Sequence, residues 1–118
     1  MNVEVFREYC ITKKGVTEEF PFDENTLVFK VMGKMFALVP LERLPTQANL
    51  KCDPEKALVL RESYNGLITA GYHMSKIHWN TLYLTNLAPD LIFKLIDHSY
   101  ELVVSKLPKK TKLQLENL

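Results

Sequence analysis

The 118-residue chain is short of most features that would assign it a chemistry. It has two cysteines, Cys10 and Cys52, far apart and in no C-x-x-C spacing. In a chain long enough to bury its own core, such thiols read as reduced cytosolic cysteines, with a single Cys10–Cys52 bridge as the alternative. Its four glycines form no G-x-G-x-x-G, Walker A or G-x-S-x-G pattern, so the usual phosphate cradles and the nucleophile elbow are absent. Neither sign of charge dominates: 15 Lys and Arg face 14 Asp and Glu, a formal +1, which excludes a histone-like polycation and an acidic cation scavenger. The longest uncharged apolar run, Met35 to Leu41, is too short to span a bilayer. Glu4, Arg7, Glu8, Lys13 and Lys14 leave no apolar stretch for a signal peptide. A soluble cytoplasmic domain with no membrane association is expected.

What is present is ordinary globular material, 47% hydrophobic and 25% charged, enough for one domain's core. The pattern predicts a helix from about Val3 to Lys14, capped by Asn2 and stopped by Gly15. A loop with a short edge strand should follow over residues 16–22, where Pro21 bars a central strand. The strongest signal is a hairpin over Thr26 to Val39, with Gly33-Lys34 as a type II′ turn. That register pairs Met32 with Met35 and puts Leu27, Phe29, Val31, Phe36 and Leu38 on the core face. Val28, Lys30, Met32, Met35, Ala37 and Val39 fall opposite. A strand over Gln47 to Cys52 turns Ala48, Leu50 and Cys52 inward. Asp53-Pro54-Glu55 opens a second helix running to about Tyr64. After an extended stretch from Leu67 to Tyr72, a strand over Trp79 to Leu84 turns Leu82 and Leu84 inward. Pro89-Asp90 opens a long helix with Lys94, Asp97, His98, Glu101 and Ser105 as its polar stripe. Residues 1–107 form the expected single domain, and 108–118 an expected mobile basic tail. Strands grouped between terminal helices give an α+β class: an antiparallel sheet with helices on one face and the other face open.

That open face should present Lys30, Met32, Met35, Gln47, Asn49, Lys51, Trp79, Thr81 and Tyr83. This mixture of ammonium, amide and aromatic groups suits single-stranded nucleic acid, and it also suits an ordinary solvated sheet face. A second constellation, His73-Met74-Ser75-Lys76-Ile77-His78-Trp79-Asn80, is a poor metal site. Its histidines are five residues apart, no thiol or carboxylate lies between them, and Lys76 repels a cation. As an anion-binding loop it fits better, because His and Lys donate to phosphate. Ser63, Ser75, Ser99 and Ser105 have no base partner in the sequence. Cys52 is expected to be buried and inert. The acidic pairs Glu18-Glu19 and Asp23-Glu24 read as solvated. No enzyme, cofactor or metal is expected. Candidate binding residues are Lys30, Lys34, Lys51, His73, Lys76, His78 and Trp79. They would serve DNA, weakly and salt-sensitively, or a small anion, a protein partner or a homodimer through Met32, Met35, Trp79 and Tyr83.

Several segments carry a family likeness. Arg7-Glu8-Tyr9-Cys10, the run Gly15 to Phe22, the hairpin, Leu50-Lys51-Cys52-Asp53-Pro54-Glu55, Gly71-Tyr72-His73, Lys76 with His78-Trp79-Asn80, and Asp97 to Val103 occur in the order seen in the MmcQ/YjbR family, which the chain resembles. The resemblance implies a CyaY-like sandwich and a DNA-binding role through a hairpin wing around Lys30, Gly33 and Lys34, with the open face as a saddle. Pro45 to Ala48 lacks the basic residue such a surface would want. The frataxin type of iron binding does not carry over, because Glu4 and Glu8 are offset by Arg7, Lys13 and Lys14. Charge is uneven along the chain: residues 1–33 hold four bases and six acids, residues 34–82 six bases and four acids. Any cationic face is therefore local.

Overall fold

The computed structural model describes residues 1–71 and 74–118. Its elements run α1 (Val3–Ile11), β1 (Val16–Glu19), β2 (Thr26–Val31), β3 (Lys34–Pro40), β4 (Gln47–Lys51), α2 (Pro54–Ser63), β5 (Ile68–Ala70), β6 (Trp79–Tyr83), α3 (Pro89–Ser105) and α4 (Lys109–Glu116). The strands form one antiparallel sheet in the order β1-β2-β3-β4-β6-β5. Local chemistry starts the helices as expected. The Asn2 side chain accepts the Val5 N–H at 2.9 Å, and the Asp53 carboxylate accepts the Lys56 N–H at 3.2 Å with Pro54 in the first turn. The helices lie on one face, where Phe6 of α1 and Ile92 and Ile96 of α3 bury against Phe29, Phe36, Leu50 and Leu82 of the sheet. No helix among the described residues is long and apolar enough to cross a membrane.

The hairpin departs from the expected register in two linked ways. Its loop residues are Met32 and Gly33, both with positive φ (49° and 84°), so that Val31 faces Lys34 and the turn is of the I′ type. Glycine thus occupies the second loop position rather than the first that a II′ turn requires, because the loop begins one residue earlier than expected. Phe29 then pairs with Ala37 while Lys30 pairs with Met35, leaving Phe36 as an extra residue in β3. This bulge puts Phe36 and Ala37 both toward the helices and restarts the alternation. Ala37 and Val39 therefore join the main core, and Leu38 turns to the other face, the reverse of the strict period-2 assignment.

A bulge leaves backbone groups out of the ladder, and here α3 satisfies them. Ser99, 0% exposed, donates its hydroxyl to the Phe36 carbonyl at 2.5 Å and accepts the Lys51 N–H at 3.0 Å. The next two donors are met separately: Cys52 N–H by the His78 carbonyl at 2.7 Å, and Asp53 N–H by His98 Nε2 at 3.1 Å. Tyr9 of α1 and Lys13 just beyond its end both donate to Asp97, which pushes the Tyr9 hydroxyl up to about 12, the hydrogen bond being the main cause. Tyr100 donates to the Lys14 carbonyl at 2.5 Å. Asp97 and His98, expected in a solvated polar stripe, are half-buried and tie α3 to its neighbours.

The helix-free face holds a second small cluster, Val28, Leu38 and Trp79, packed with Met35 and Met74. Gln47, Asn49 and Thr81 are buried there too, with the Thr81 hydroxyl donating to Asn49 Oδ1 at 2.5 Å. The face is open to helices but recessed at its centre. Residues 108–118, expected as a mobile tail, hold α4, whose Leu115 is buried in the main core beside Gly15. Cys10 and Cys52 are free and buried, and burial pushes both thiols up.

Replacing Ser99 by Ala should cost about 2 kcal/mol, because it strips a buried carbonyl and a buried N–H of their partner with little change in volume. Denaturant unfolding checks this, and a loss within ~0.5 kcal/mol, the size of an ordinary surface change, counts against it. A second expectation concerns pH. Burial, then the charge of Lys56, depresses the His98 imidazole below its usual range, against smaller opposing effects of Asp53 and Glu101. The neutral ring is the form that accepts the Asp53 N–H. Its contribution is therefore complete above about pH 6.5, the unfolded value, and is lost as pH falls through the lower folded value. His98→Gln should flatten that acid-side loss of melting temperature, and an unchanged pH profile would refute the assignment.

Candidate anion-binding site

Three lysines from three elements meet at one end of the sheet. Lys34 opens β3 directly after the hairpin loop, Lys51 closes β4, and Lys106 caps the C-terminus of α3. Ser99, Val103 and Lys106 fall at i, i+4 and i+7 on α3, so the face that buries Ser99 against Phe36 and Lys51 delivers Lys106 to the same place. With Met35, Trp79 and Leu107 the lysines line a concavity of about 360 Å³. Among the described residues no carboxylate is within ion-pair reach of these three lysines. Partial burial lowers the Lys51 ammonium from its usual range, and the charge of Lys106 lowers it further. An anion seated between them would relieve that repulsion, since an opposite charge favours the protonated form.

The other expected residues are dispersed. Lys30 lies on the helix-free face of β2, 3.5 Å from Glu19 of β1, and so is partly neutralised. Lys76 is exposed on the loop before β6 and lines a different hollow with Pro54, Leu58, Arg61 and Ile77. His78 is half-buried, and its carbonyl holds the Cys52 N–H. His73 lies outside the described residues. Trp79 is only 7% exposed and serves as a wall of the concavity, which leaves little ring face for a base to stack on. No group of three His, Cys, Asp or Glu among the described residues could hold a metal ion.

The loop before β6 is fixed by Arg61 of α2. Its guanidinium donates to Asn80 Oδ1 at 2.7 Å, to the Trp79 carbonyl at 3.3 Å and to the Lys76 carbonyl. Gly71 donates its N–H to the Trp79 carbonyl at 2.8 Å, and a Cβ there would sit 2.8 Å from the Trp79 Cβ. Only glycine permits this approach of β5 to β6. Lys106 is the member of the trio that is not among the residues expected from the sequence. Its helical spacing from Ser99 is a usable signal only once Ser99 is known to face the sheet.

Comparison with known proteins places these features in a family context. The family model described as YjbR matches residues 11–102. The uncharacterized protein YjbR of Escherichia coli K12 is 31% identical over 119 residues, covering 100% of both chains. The uncharacterized protein YbdF of Escherichia coli O157:H7 is 39% identical over 92 residues, 77% of this chain and 75% of that one. Among solved structures, Deinococcus radiodurans protein DR2400, described as a DUF419 domain, superposes with a TM-score of 0.91 at 36% identity, covering 98% of this chain and 88% of that one. A Pseudomonas syringae protein gives a TM-score of 0.72 at 29% identity, with 86% and 98% covered.

The single tryptophan makes the Arg61 clamp easy to follow. Arg61→Ala should red-shift Trp79 emission and cost about 2 kcal/mol, because buried acceptors lose a charged donor. Arg61→Lys should restore little, since an ammonium cannot reproduce the guanidinium fork. An emission maximum unmoved in the alanine variant would show that the clamp does not hold the indole.

Proposed function

The chain belongs to the YjbR family, and on that footing we propose that it is a non-enzymatic binding domain for a phosphate or similar anionic group, seated between Lys34, Lys51 and Lys106. The observation that carries this reading is the convergence of three ammonium groups without carboxylate partners on one concavity. Its described lining contains no hydroxyl, thiol, imidazole or carboxylate, and the ionisable groups it offers a ligand are the three lysines. In a chain of net charge +1 this is a local feature.

The phosphate can belong to a nucleic-acid backbone or to a small ester. Lys34 beside the hairpin loop and the exposed Lys109 and Lys110 of α4 favour the backbone. The Lys30–Glu19 pair, the remote Lys76 and the buried Trp79 weigh against a broad duplex-binding wing. The compact seat therefore favours one phosphate over a track of them.

Calorimetry with inorganic phosphate and a phosphate ester, beside fluorescence anisotropy with single-stranded and duplex oligonucleotides at two salt concentrations, separates the sources. Lys51→Ala and Lys106→Ala should each weaken phosphate binding roughly tenfold, the size of a charged hydrogen bond. Lys76→Ala should leave it unchanged. Oligonucleotide binding, where present, should show a salt slope of about 1, as for a single neutralised phosphate. Binding that survives loss of both Lys51 and Lys106, or no binding to any probe at millimolar concentration, defeats the reading.

A further inference from the structure

Resting on that anion seat, we infer that the ligand is an amphipathic organic anion, an acidic group joined to an apolar body that lies along the helix-free face. A second concavity of about 450 Å³ adjoins the lysine seat, with Met35 lining both. Its walls include Phe22, Met35, Leu38, Pro40 and Met74, with Asn49 at its floor. The volume suits a small organic ligand, and a mainly apolar lining with a few polar groups is the usual composition of such sites.

The bulge in β3 creates this arrangement. Because Phe36 is the extra residue, Met35 and Leu38 both face away from the helices, and the strand presents two apolar side chains beside a lysine seat. On β4, Lys51 and Asn49 alternate on that face, one in each concavity, and alternate residues of a strand lie about 6.7 Å apart. An acid held by Lys51 thus places whatever is attached to it, at roughly that distance, over Asn49 and against Leu38 and Met74. Asn49 accepts the Thr81 hydroxyl through Oδ1, and its amide nitrogen donates to no described residue, which leaves a donor for a polar atom on the body. Methionines at two walls adapt to planar or aliphatic shapes. The carboxylate at the rim, Asp23, accepts the Asn25 and Thr26 N–H groups at 2.8 Å, so its charge is engaged by its own turn.

The probes are inorganic phosphate, 1-naphthyl phosphate and neutral 1-naphthol, titrated by calorimetry into the intact chain. Naphthyl phosphate should bind at least ~10-fold more tightly than inorganic phosphate, and naphthol weakly, because charge and apolar burial act together. Met74→Glu, on a half-buried loop position, should abolish the naphthyl gain, and Met74→Gln, which adds no charge beside the lysines, should reduce that gain while leaving inorganic phosphate binding unchanged. Independently, the naphthyl protons should show NOEs to the methyl groups of Met35 and Met74 in the unsubstituted protein. Equal affinity for the two phosphates overturns the amphipathic ligand while leaving the phosphate seat standing. A gain that persists in Met74→Glu, or NOEs confined to other methyls, places the apolar body elsewhere and overturns it too. Failure of both phosphates removes the seat itself.

Discussion

The hydroxyl of Ser99 is the point on which the two sides of the sheet depend. Inserting one residue into β3 changes which side chains face the helices, but it also leaves the Phe36 carbonyl and the Lys51 N–H without ladder partners. In a dry interior each would cost about 1–3 kcal/mol unpaired. One buried serine on α3 serves both, 2.5 Å from the first and 3.0 Å from the second. The same contact fixes the rotation of α3 about its axis. Val103 and Lys106 then follow from helical periodicity, and the lysine seat is a consequence of how the bulge is satisfied.

The backbone donors at the end of β4 extend the same logic. Residues 51, 52 and 53 hand their N–H groups to Ser99, to the loop before β6 and to His98. Two separate segments, α3 and the loop before β6, are thus tied to one short stretch that carries Lys51 and starts α2. Arg61 reaches back from α2 to hold the loop that positions Trp79. The lysine-lined concavity is consequently walled by residues whose backbones are fixed, while its ammonium groups remain partly hydrated. That division suits a binding site, because the geometry is held by buried hydrogen bonds and the charge is left free for a ligand.

Much of the fold was legible in the sequence. Caps at Asn2 and Asp53-Pro54, the hairpin, the alternation of β4 and β6, and the long amphipathic α3 all express local chemistry. The inward side of Ala48, Leu50 and Leu82 was correct for the same reason. What failed were effects that alternation cannot encode. A bulge reverses the face of every residue beyond it, so Ala37, Leu38 and Val39 exchanged sides. A Met in a positive-φ turn position is unfavourable, so the I′ loop at Met32-Gly33 lay hidden behind the more regular Gly33-Lys34 choice. Asp97 and His98 look like surface residues until their long-range partners are known. For the site, Lys34, Lys51 and Trp79 of the candidate residues line one concavity, Lys30 and Lys76 lie apart from them, and Lys106 needed the third dimension. The segment Asp97 to Tyr100, which carried part of the family likeness, ties the helices and sheet together.

The central claim is that Ser99 and the bulge bring Lys34, Lys51 and Lys106 into one anion seat. Its most direct measurement is residue-resolved NMR of the 15N-labelled protein during titration with inorganic phosphate, following backbone amides and lysine side-chain signals. The account predicts concerted, saturable shifts at Lys34, Met35, Lys51 and Lys106 with a common dissociation constant, and none at Lys30 or Lys76. Shifts centred on Lys76 and His78, or unrelated dissociation constants at the three lysines, would contradict it.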